Sequence, residues 1–403
     1  MYRITKFNKF LSIRLFSSKT ASQANFPGAV GSNFTTTLKF LYNQPAIDTY
    51  SVLDNDGNLT VKESDPKLSK ESLLKMYKNM ITLNTMDLIL YEAQRQGRIS
   101  FYMTSYGEEA THMGSAEALN IDDVIFGQYR EAGVLLHRGF TIDQFMNQCY
   151  SNELDLGKGR QMPVHYGTQL PQAAGAAYAL KRQKKNACVV CYFGEGAASE
   201  GDFHAALNIA STTDSPVIYF CRNNGYAIST PAKEQYRGDG IASRGVGYGM
   251  HTIRVDGNDI LAVYNATKEA KRIAVSENRP ILIEAMTYRV GHHSTSDDST
   301  AYRSKQEIAD WQKVDSPITR FRKYLEKLRY WSEEEEKSFK KEIKKKVMTS
   351  FAEAEKRVKP AVKEMWEDVY GDGLPPILKE QKKELDRLMK KYPDVYNQDG
   401  YAK

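Results

Sequence analysis

Three short polar stretches carry the chemistry of this sequence, and each follows a run that reads as a β-strand. Glu195 stands between Gly194 and Gly196 directly after "ACVVCYF". Arg222, Asn223 and Asn224 close "SPVIYFC". The paired His292 and His293 open the polar loop "GHHSTSDDSTAYRS" after the apolar run at 281–290. Glu195, Asn224 and the main-chain carbonyl of Tyr226, turned inward after Gly225, form an oxygen-only donor set. Such a set suits Mg2+, which completes its octahedron with water and phosphate oxygens. The glycines beside Glu195 let backbone approach a phosphate, and Arg222 offers charge to neutralise it. Tyr129 and Arg130 in "FGQYREAG" offer a second phosphate-facing pair.

Two rival chemistries fit less well. "GEGAAS" approaches the G-x-G-x-x-G of dinucleotide sites, but that reading wants an acid at the end of the second strand for the ribose. Here that strand ends in Arg222-Asn223-Asn224, whose amides suit a metal instead. Cys188 and Cys191 spell C-x-x-C within a strand. Residues three apart on a strand face opposite ways, so two core cysteines are the better reading. The remaining cysteines, Cys149 and Cys221, add no disulfide framework.

These residues need a scaffold, and the pattern supplies one. "ACVVCYFG", "EGAASEGDFHAALNIAST" and "SPVIYFCRNNG" alternate strand, helix and strand, the signature of a βαβ unit and a parallel sheet. "RPILIEAMTYRV" adds a strand at 280–290. Ligands of such sheets bind beyond the carboxyl ends of the strands, where the polar stretches lie. Upstream, Ser69 caps a long helix lined by Leu73, Met76, Tyr77, Met80, Leu83 and Leu90 and ended at Gly97. Further helices start near Glu108 and Thr141, and "QLPQAAGAAYALKRQ" forms a small-residue helix able to lie close on a sheet. Downstream, "WSEEEEKSFKKEIKKKVMTSFAEAEKRV" places acids before lysines, matching the helix dipole. Phe339, Ile343, Val347, Phe351, Ala354 and Val358 give it one apolar stripe. The expected fold is α/β, a doubly wound parallel sheet with helical N-terminal and C-terminal extensions.

The formal net charge of +6 is local. Arg3, Lys6, Lys9, Arg14, Lys19 and Lys39 supply it within residues 1–47, which contain no acid. The remainder is near neutral, so basicity gives no argument for nucleic acid. "MYRITKFNKFLSIRLFSSKT" mixes basic, apolar and serine residues as mitochondrial transit peptides do. No run approaches a membrane span. The expected organisation is a transit peptide and flexible N-terminus at 1–47, an extended arm at 48–68, the α/β domain at 69–325, and a helical region at 326–403. That last region is expected to pack on the domain or on a partner subunit.

Gly194-Glu195-Gly196, then residues 197–222, then Asn223-Asn224 resembles the thiamin-diphosphate motif, with Glu where Asp is commoner. "FGQYREAGVL", "DLGKGRQMPVHYG", "CRNNGYAIST", "QYRGDGIASRG", "RVDGND" and "IEAMTYRVGHHSTSDDSTAYRS" extend the likeness over most of 60–403. The sequence is similar to the alpha subunits of thiamin-diphosphate-dependent 2-oxoacid dehydrogenases. It is closer to the branched-chain members than to pyruvate dehydrogenase, which usually differs at Ser199-Glu200 and at Ala227-Ile228-Ser229.

The resemblance implies the thiamin-diphosphate-binding fold and an α2β2 heterotetramer with a beta subunit in the mitochondrial matrix. It implies Mg2+ on Glu195, Asn224 and Tyr226, with Gln128, Tyr129, Arg130, Gly194, Gly196, Ala197 and Arg222 around the diphosphate. It implies decarboxylation of a 2-oxo acid and transfer of the acyl group to a lipoyl-bearing acyltransferase core, within branched-chain amino acid catabolism. His293 matches the histidine that donates a proton during acyl transfer beside the cofactor, a role suited by the near-neutral pKa of an ordinary imidazole. His292 is expected to be structural. Ser294 and Ser304 match phosphorylation positions served by a regulatory kinase and phosphatase. Arg289, Asp297, Tyr302 and Arg303 match residues that order the loop.

The likeness breaks at "PVHYGTQLPQ". Family members carry a longer segment between His165-Tyr166-Gly167 and Thr168-Gln169. Thr168 and Gln169 match K+ ligands, but the companions of that site have no counterpart. A second reading therefore stands at the level of sequence: a subunit that assembles but binds cofactor poorly.

Overall fold

The computed structural model describes residues 23–24, 32–42, 45–160 and 167–403. The chain divides into two compact units, residues 1–46 and 47–403. In the first, β1 (Gln23–Ala24) and β2 (Ser32–Asn33) pair antiparallel. Most of the basic leader lies outside the described residues.

The second unit is organised by a six-stranded sheet in which every pairing is parallel. Its strands are β3 (Thr49–Tyr50), β4 (Val124–Phe126), β5 (Val189–Gly194), β6 (Val217–Asn223), β9 (His251–Asp256) and β10 (Ile281–Met286). Across the sheet the order is β3-β9-β10-β6-β5-β4. A small hairpin, β7 (Tyr226–Ala227) and β8 (Thr230–Pro231), interrupts the chain after β6. The central strands read as unbroken apolar runs because both faces are covered. Val190, Tyr192, Ile218, Phe220 and Ile283 point into one core, and Val189, Phe193, Val217, Tyr219 and Leu282 into the other. Cys188 joins the first core and Cys191 the second, so the C-x-x-C pair faces opposite ways.

The first core is roofed by α1 (Lys70–Arg95), α2 (Glu109–Glu117), α3 (Ala132–His137), α4 (Ile142–Tyr150) and α9 (Ile260–Glu277). Ser69 caps α1 by accepting from Ser72 N at 3.1 Å, and all six residues of its expected apolar face are buried. Thr141 and Gln144 form a capping box on α4. The second core is roofed by α5 (Gln169–Arg182) and α6 (Gly201–Thr213), whose alanines let the backbones pack close. Residues 48–68 are pinned to the sheet by Asp259, which receives Val52 N and Leu53 N at 2.6 Å. Its other oxygen caps α9 through Leu261 N and Ala262 N, both at 3.1 Å.

α7 (Ala232–Gln235) and α8 (Ala242–Gly247) follow the hairpin; α10 (Lys305–Val314) and α11 (Pro317–Lys327) follow β10. α12 (Glu333–Glu355) and α13 (Pro376–Lys391) end the chain. α12 buries Ile343, Val347, Phe351 and Ala354 in the first core, against α1 and α4. Its expected stripe stops at Ala354, because the helix ends at Glu355 and Val358 lies beyond it.

The strand expected at 280–290 stops at Met286. Its neighbours end level with it, since Met286 pairs with Asn223 on one side and Asp256 on the other. Beyond that point the backbone finds irregular partners: Thr287 N donates to Asn223 O, and Val290 N donates to Tyr106 O. Gly107 makes this crossing possible. Its φ is +94°, and a Cβ there would fall 2.1 Å from Tyr288 O.

Candidate active site

The carboxyl ends of β4, β5, β6 and the extension of β10 converge on a cavity of about 210 Å3. Gln128, Tyr129, Arg130, Gly194, Glu195, Gly196, Ala197, Arg222, Asn224, Tyr226 and His293 all line it. Four sequence segments up to 165 residues apart thus meet as expected for a parallel sheet. Gly194 N donates to Gln128 Oε1 at 2.9 Å, tying the β4 end to the β5 end. Asn224 N donates to Glu195 Oε2 at 3.3 Å, tying β5 to β6. Arg289 Nη1 donates to Tyr226 O at 3.1 Å, tying β6 to the β10 extension.

Arg222, expected to neutralise a phosphate, lines the cavity with its charge already shared. It is buried, and its two terminal nitrogens donate to Glu108 and Glu131. The physical reason is burial itself: an uncompensated guanidinium here would cost several kcal/mol. Only its Nε lacks a partner. Burial pushes Glu108 up, but Arg222 and Arg130 outweigh this and hold it below the usual carboxylate range. Arg130 donates to the carbonyls of Thr104 and, at 2.9 Å, of His293.

Glu195 behaves oppositely. It is buried, and among the described residues its Oε1 has no hydrogen-bond partner. Burial pushes its pKa up to about 7, with Glu108 adding to the rise. Among the described residues no three His, Cys, Asp or Glu side chains come together as a metal cluster. A cation beside Glu195 would therefore rest on one carboxylate, one amide and a carbonyl, leaving positions for water and phosphate. The orphaned oxygen fits that description, since a buried unpaired carboxylate oxygen is costly without a cation or donor.

The loop after β10 is polar inside as well as outside. Asp297 Oδ2 accepts from His293 N at 2.8 Å and from Tyr302 Oη at 2.6 Å. Arg289 Nη2 reaches Ile228 O at 2.7 Å and Tyr302 Oη at 2.8 Å. Arg303 donates to the carbonyls of Arg289, Val290 and Gly291. The four residues expected to order the loop are thus joined in one network. His292 accepts from Ser299 N at 3.0 Å and stacks on Tyr91, a structural position. His293 instead faces the cavity edge-on to Tyr129. Arg289 can only donate, so its 3.4 Å contact makes Nδ1 of His293 the acceptor and leaves the proton on Nε2. Burial first, then Arg130 and Arg289, push the pKa of His293 down to about 3. Burial and the two guanidiniums thus favour the neutral ring, against the near-neutral value of a solvated imidazole.

Ser294 is half-buried and its carbonyl accepts from Asp297 N, whereas Ser304 is exposed and caps α10 by accepting from Glu307 N at 3.0 Å. Thr168 and Gln169 do not join the cavity. Thr168 is exposed at the start of α5, and Gln169 spends its amide on Gly167 N and Tyr192 O. Residues 161–166, within the shortened segment, lie outside the described residues.

Residues 77–363 match the family model described as dehydrogenase E1 component. The chain belongs to the dehydrogenase E1 component family. It is 56% identical over 404 residues to the mitochondrial 2-oxoisovalerate dehydrogenase subunit alpha of Pan troglodytes, covering 96% of this chain and 90% of that protein. It is 59% identical over 380 residues to the subunit of the same name from Caenorhabditis elegans, covering 90% and 88%. With the mitochondrial 2-oxoisovalerate dehydrogenase subunit alpha 1 of Arabidopsis thaliana it shares 51% over 393 residues, covering 93% and 83%.

In this E1 component three polar partners of the site carry no motif of their own. Glu108 and Glu131 were visible only as members of "GEEATH" and "FGQYREAG". Glu108 follows Gly107, with its positive φ, at a helix start, the one local signal that its side chain is held in place. Gln235, from α7, donates to the carbonyls of Glu195 and Gly196 and to Ser199, and nothing local in "PAKEQYRG" announces it.

Proposed function

We propose that this chain is the alpha subunit of the decarboxylating component of a mitochondrial branched-chain 2-oxoacid dehydrogenase complex. One observation carries the reading. The residues that sequence resemblance assigns to the diphosphate and to Mg2+ line a single cavity, in a chain more than half identical to 2-oxoisovalerate dehydrogenase alpha subunits. Membership of the family implies thiamin diphosphate as cofactor and a beta subunit as partner. When bound, the cofactor supplies the electron sink that lets a 2-oxo acid lose CO2.

The chain's own residues have separable tasks. Glu195, Asn224 and the Tyr226 carbonyl hold Mg2+. Gln128, Tyr129, Arg130, Gly196, Ala197 and the unpaired Nε edge of Arg222 surround the diphosphate. His293 keeps a proton on Nε2 at the cavity, as a donor during acyl transfer. Negative charge from a diphosphate would offset Arg130 and Arg289 and move His293 back toward the range where it exchanges protons. The loop at 291–304 then serves as the mouth that meets a lipoyl-bearing acyltransferase, with Ser294 and Ser304 open to a kinase and phosphatase. No K+ is assigned to Thr168 and Gln169, since Thr168 is exposed and Gln169 is already engaged.

A pyruvate dehydrogenase subunit and an inactive isoform are not favoured. The extensive identity is to subunits named for 2-oxoisovalerate, and the motif residues meet in one place. Co-expression with a beta subunit tests the reading. Thiamin-diphosphate-dependent CO2 release is expected from 2-oxoisovalerate in preference to pyruvate. Turnover of pyruvate in preference, or of neither, would overturn it.

A further inference from the structure

Asn224 stands between two carboxylates, and they use it differently. Its main-chain N–H donates to Glu195 Oε2 at 3.3 Å, while its side-chain Nδ2 donates to Glu108 Oε1 at 2.7 Å. Glu108 is completely buried, and its other oxygen accepts from Arg222. Its position is set by the chain: it opens α2, its N–H bonds to Ser105 O, and its carbonyl takes Thr111 Oγ1 and His112 N. An ionised carboxylate accepts only, so it admits one orientation of the Asn224 amide. Nδ2 must face Glu108. Oδ1 must then face the other way, where among the described residues it meets only Tyr226 N, at 3.3 Å, and keeps a lone pair to spare. Without this carboxylate the amide could turn over and present N–H to a cation, which is no ligand.

We propose that Glu108 is the positioning residue that sets the Asn224 amide so that Oδ1 faces the cation, while it also holds Arg222. This rests on the reading of Glu195, Asn224 and Tyr226 as the Mg2+ site, and assigns to Glu108 a task that the cavity lining alone does not reveal. The lining of the cavity does not include Glu108, which acts through Asn224. Glu131 holds Arg222 independently, so Arg222 keeps a counter-charge when Glu108 is neutralised.

In Glu108→Gln the side chain retains one acceptor and gains a donor. If the acceptor stays with Arg222, the donor faces Asn224, and the Asn224 amide turns over to meet it. Pairing this change with Asn224→Asp exchanges acid and amide between the two positions. The carboxylate now at position 224 would accept from the amide at position 108 with one oxygen and offer the other to Mg2+. The test uses the assembled tetramer with a beta subunit and measures, by calorimetry, the Mg2+ concentration that half-saturates thiamin-diphosphate binding. Glu108→Gln is expected to weaken Mg2+ by about tenfold or more. The double variant is expected to return within about threefold of wild type, with each single variant weaker than the pair. A folded Glu108→Gln tetramer with wild-type Mg2+ dependence would overturn the inference, as would a double variant no better than the singles. If Glu108→Gln fails to assemble, Glu108→Asp decides. It keeps the charge beside Arg222 but withdraws from Asn224, and unchanged Mg2+ dependence would again overturn the inference. If the wild-type tetramer binds thiamin diphosphate with no Mg2+ dependence, the metal site itself is wrong, and the inference falls with it.

Discussion

Glu195 and Glu284 are both buried glutamates of one parallel sheet, at the two strands that flank β6, and they are used differently. Glu284 lies within β10 and is fully satisfied. Its Oε1 accepts from Asn223 Nδ2 and Ile241 N, both at 2.8 Å; its Oε2 accepts from Ala242 N at 2.9 Å and Arg254 Nε at 3.1 Å. Even Gly240 is needed to make room, since a Cβ there would fall 2.6 Å from Glu284 Oε2. Glu195 lies one residue past β5 and has one weak backbone donor and one oxygen with no partner. Equal burial thus separates into a saturated carboxylate and one with an oxygen left over for the proposed cation. The difference lies in the count of donors, not in exposure, and it lies on the link between packing and function.

Breaking the contrast at the ligand end should have the largest effect. Glu195→Ala is expected to weaken Mg2+-dependent thiamin-diphosphate binding more than about a hundredfold while the thermal transition of the cofactor-free tetramer stays near wild type. Wild-type cofactor affinity in that variant would remove Glu195 from the metal site. At the structural end the outcome reverses. Glu284→Ala removes the acceptor of Arg254 Nε and of two N–H groups at the start of α8, while Arg254 keeps Asp239, and should cost about 2–4 kcal/mol of stability. Denaturant unfolding of the tetramer would register it, and a variant as stable as wild type would show that these bonds contribute little.

The same contrast recurs on the loop between Ser294 and Ser304. Charge at Ser294 falls beside Asp297, which holds His293 and Tyr302, so repulsion should open the network. Charge at Ser304 falls at the N-terminus of α10, where the helix dipole favours it. Turnover should drop by about tenfold or more in Ser294→Glu and by less than about threefold in Ser304→Glu. Proteolysis of the loop should accelerate only in the first. Comparable losses in both would erase the distinction.

The smallest effect sharpens the opening comparison through pH. Glu195 has a pKa raised to about 7 in the folded chain, above its unfolded value, so the native state binds more protons between the two. Folding stability contributed by this group therefore falls as pH rises from about 4.5 to 7. Glu195→Gln removes that penalty, and the cofactor-free variant should gain about 1–3 kcal/mol over wild type at pH 8 but little at pH 5. A difference that does not change with pH would place the cause elsewhere.

By itself, the sequence determined where the strands and long helices form. Apolar runs at Val189–Gly194 and Val217–Asn223, ended by Gly-Glu-Gly and Asn-Asn-Gly, specify buried parallel strands with polar ends, and a parallel sheet then places those ends together. It also separated Cys188 from Cys191, because alternation along an extended chain is a local property. Strands β4 and β9 were harder to see: β4 has three residues, and β9 carries Arg254 and Asp256 among its apolar positions. What only the tertiary structure decided is charge. Nothing local in Arg222 says that Glu108 and Glu131, 114 and 91 residues away, would take both its terminal nitrogens. Nothing in His293 says that Arg130 and burial would hold it neutral. Periodicity is written into consecutive residues, whereas a pKa and a ligand orientation depend on which distant groups share a low-dielectric space, and that is settled only when the strand ends meet.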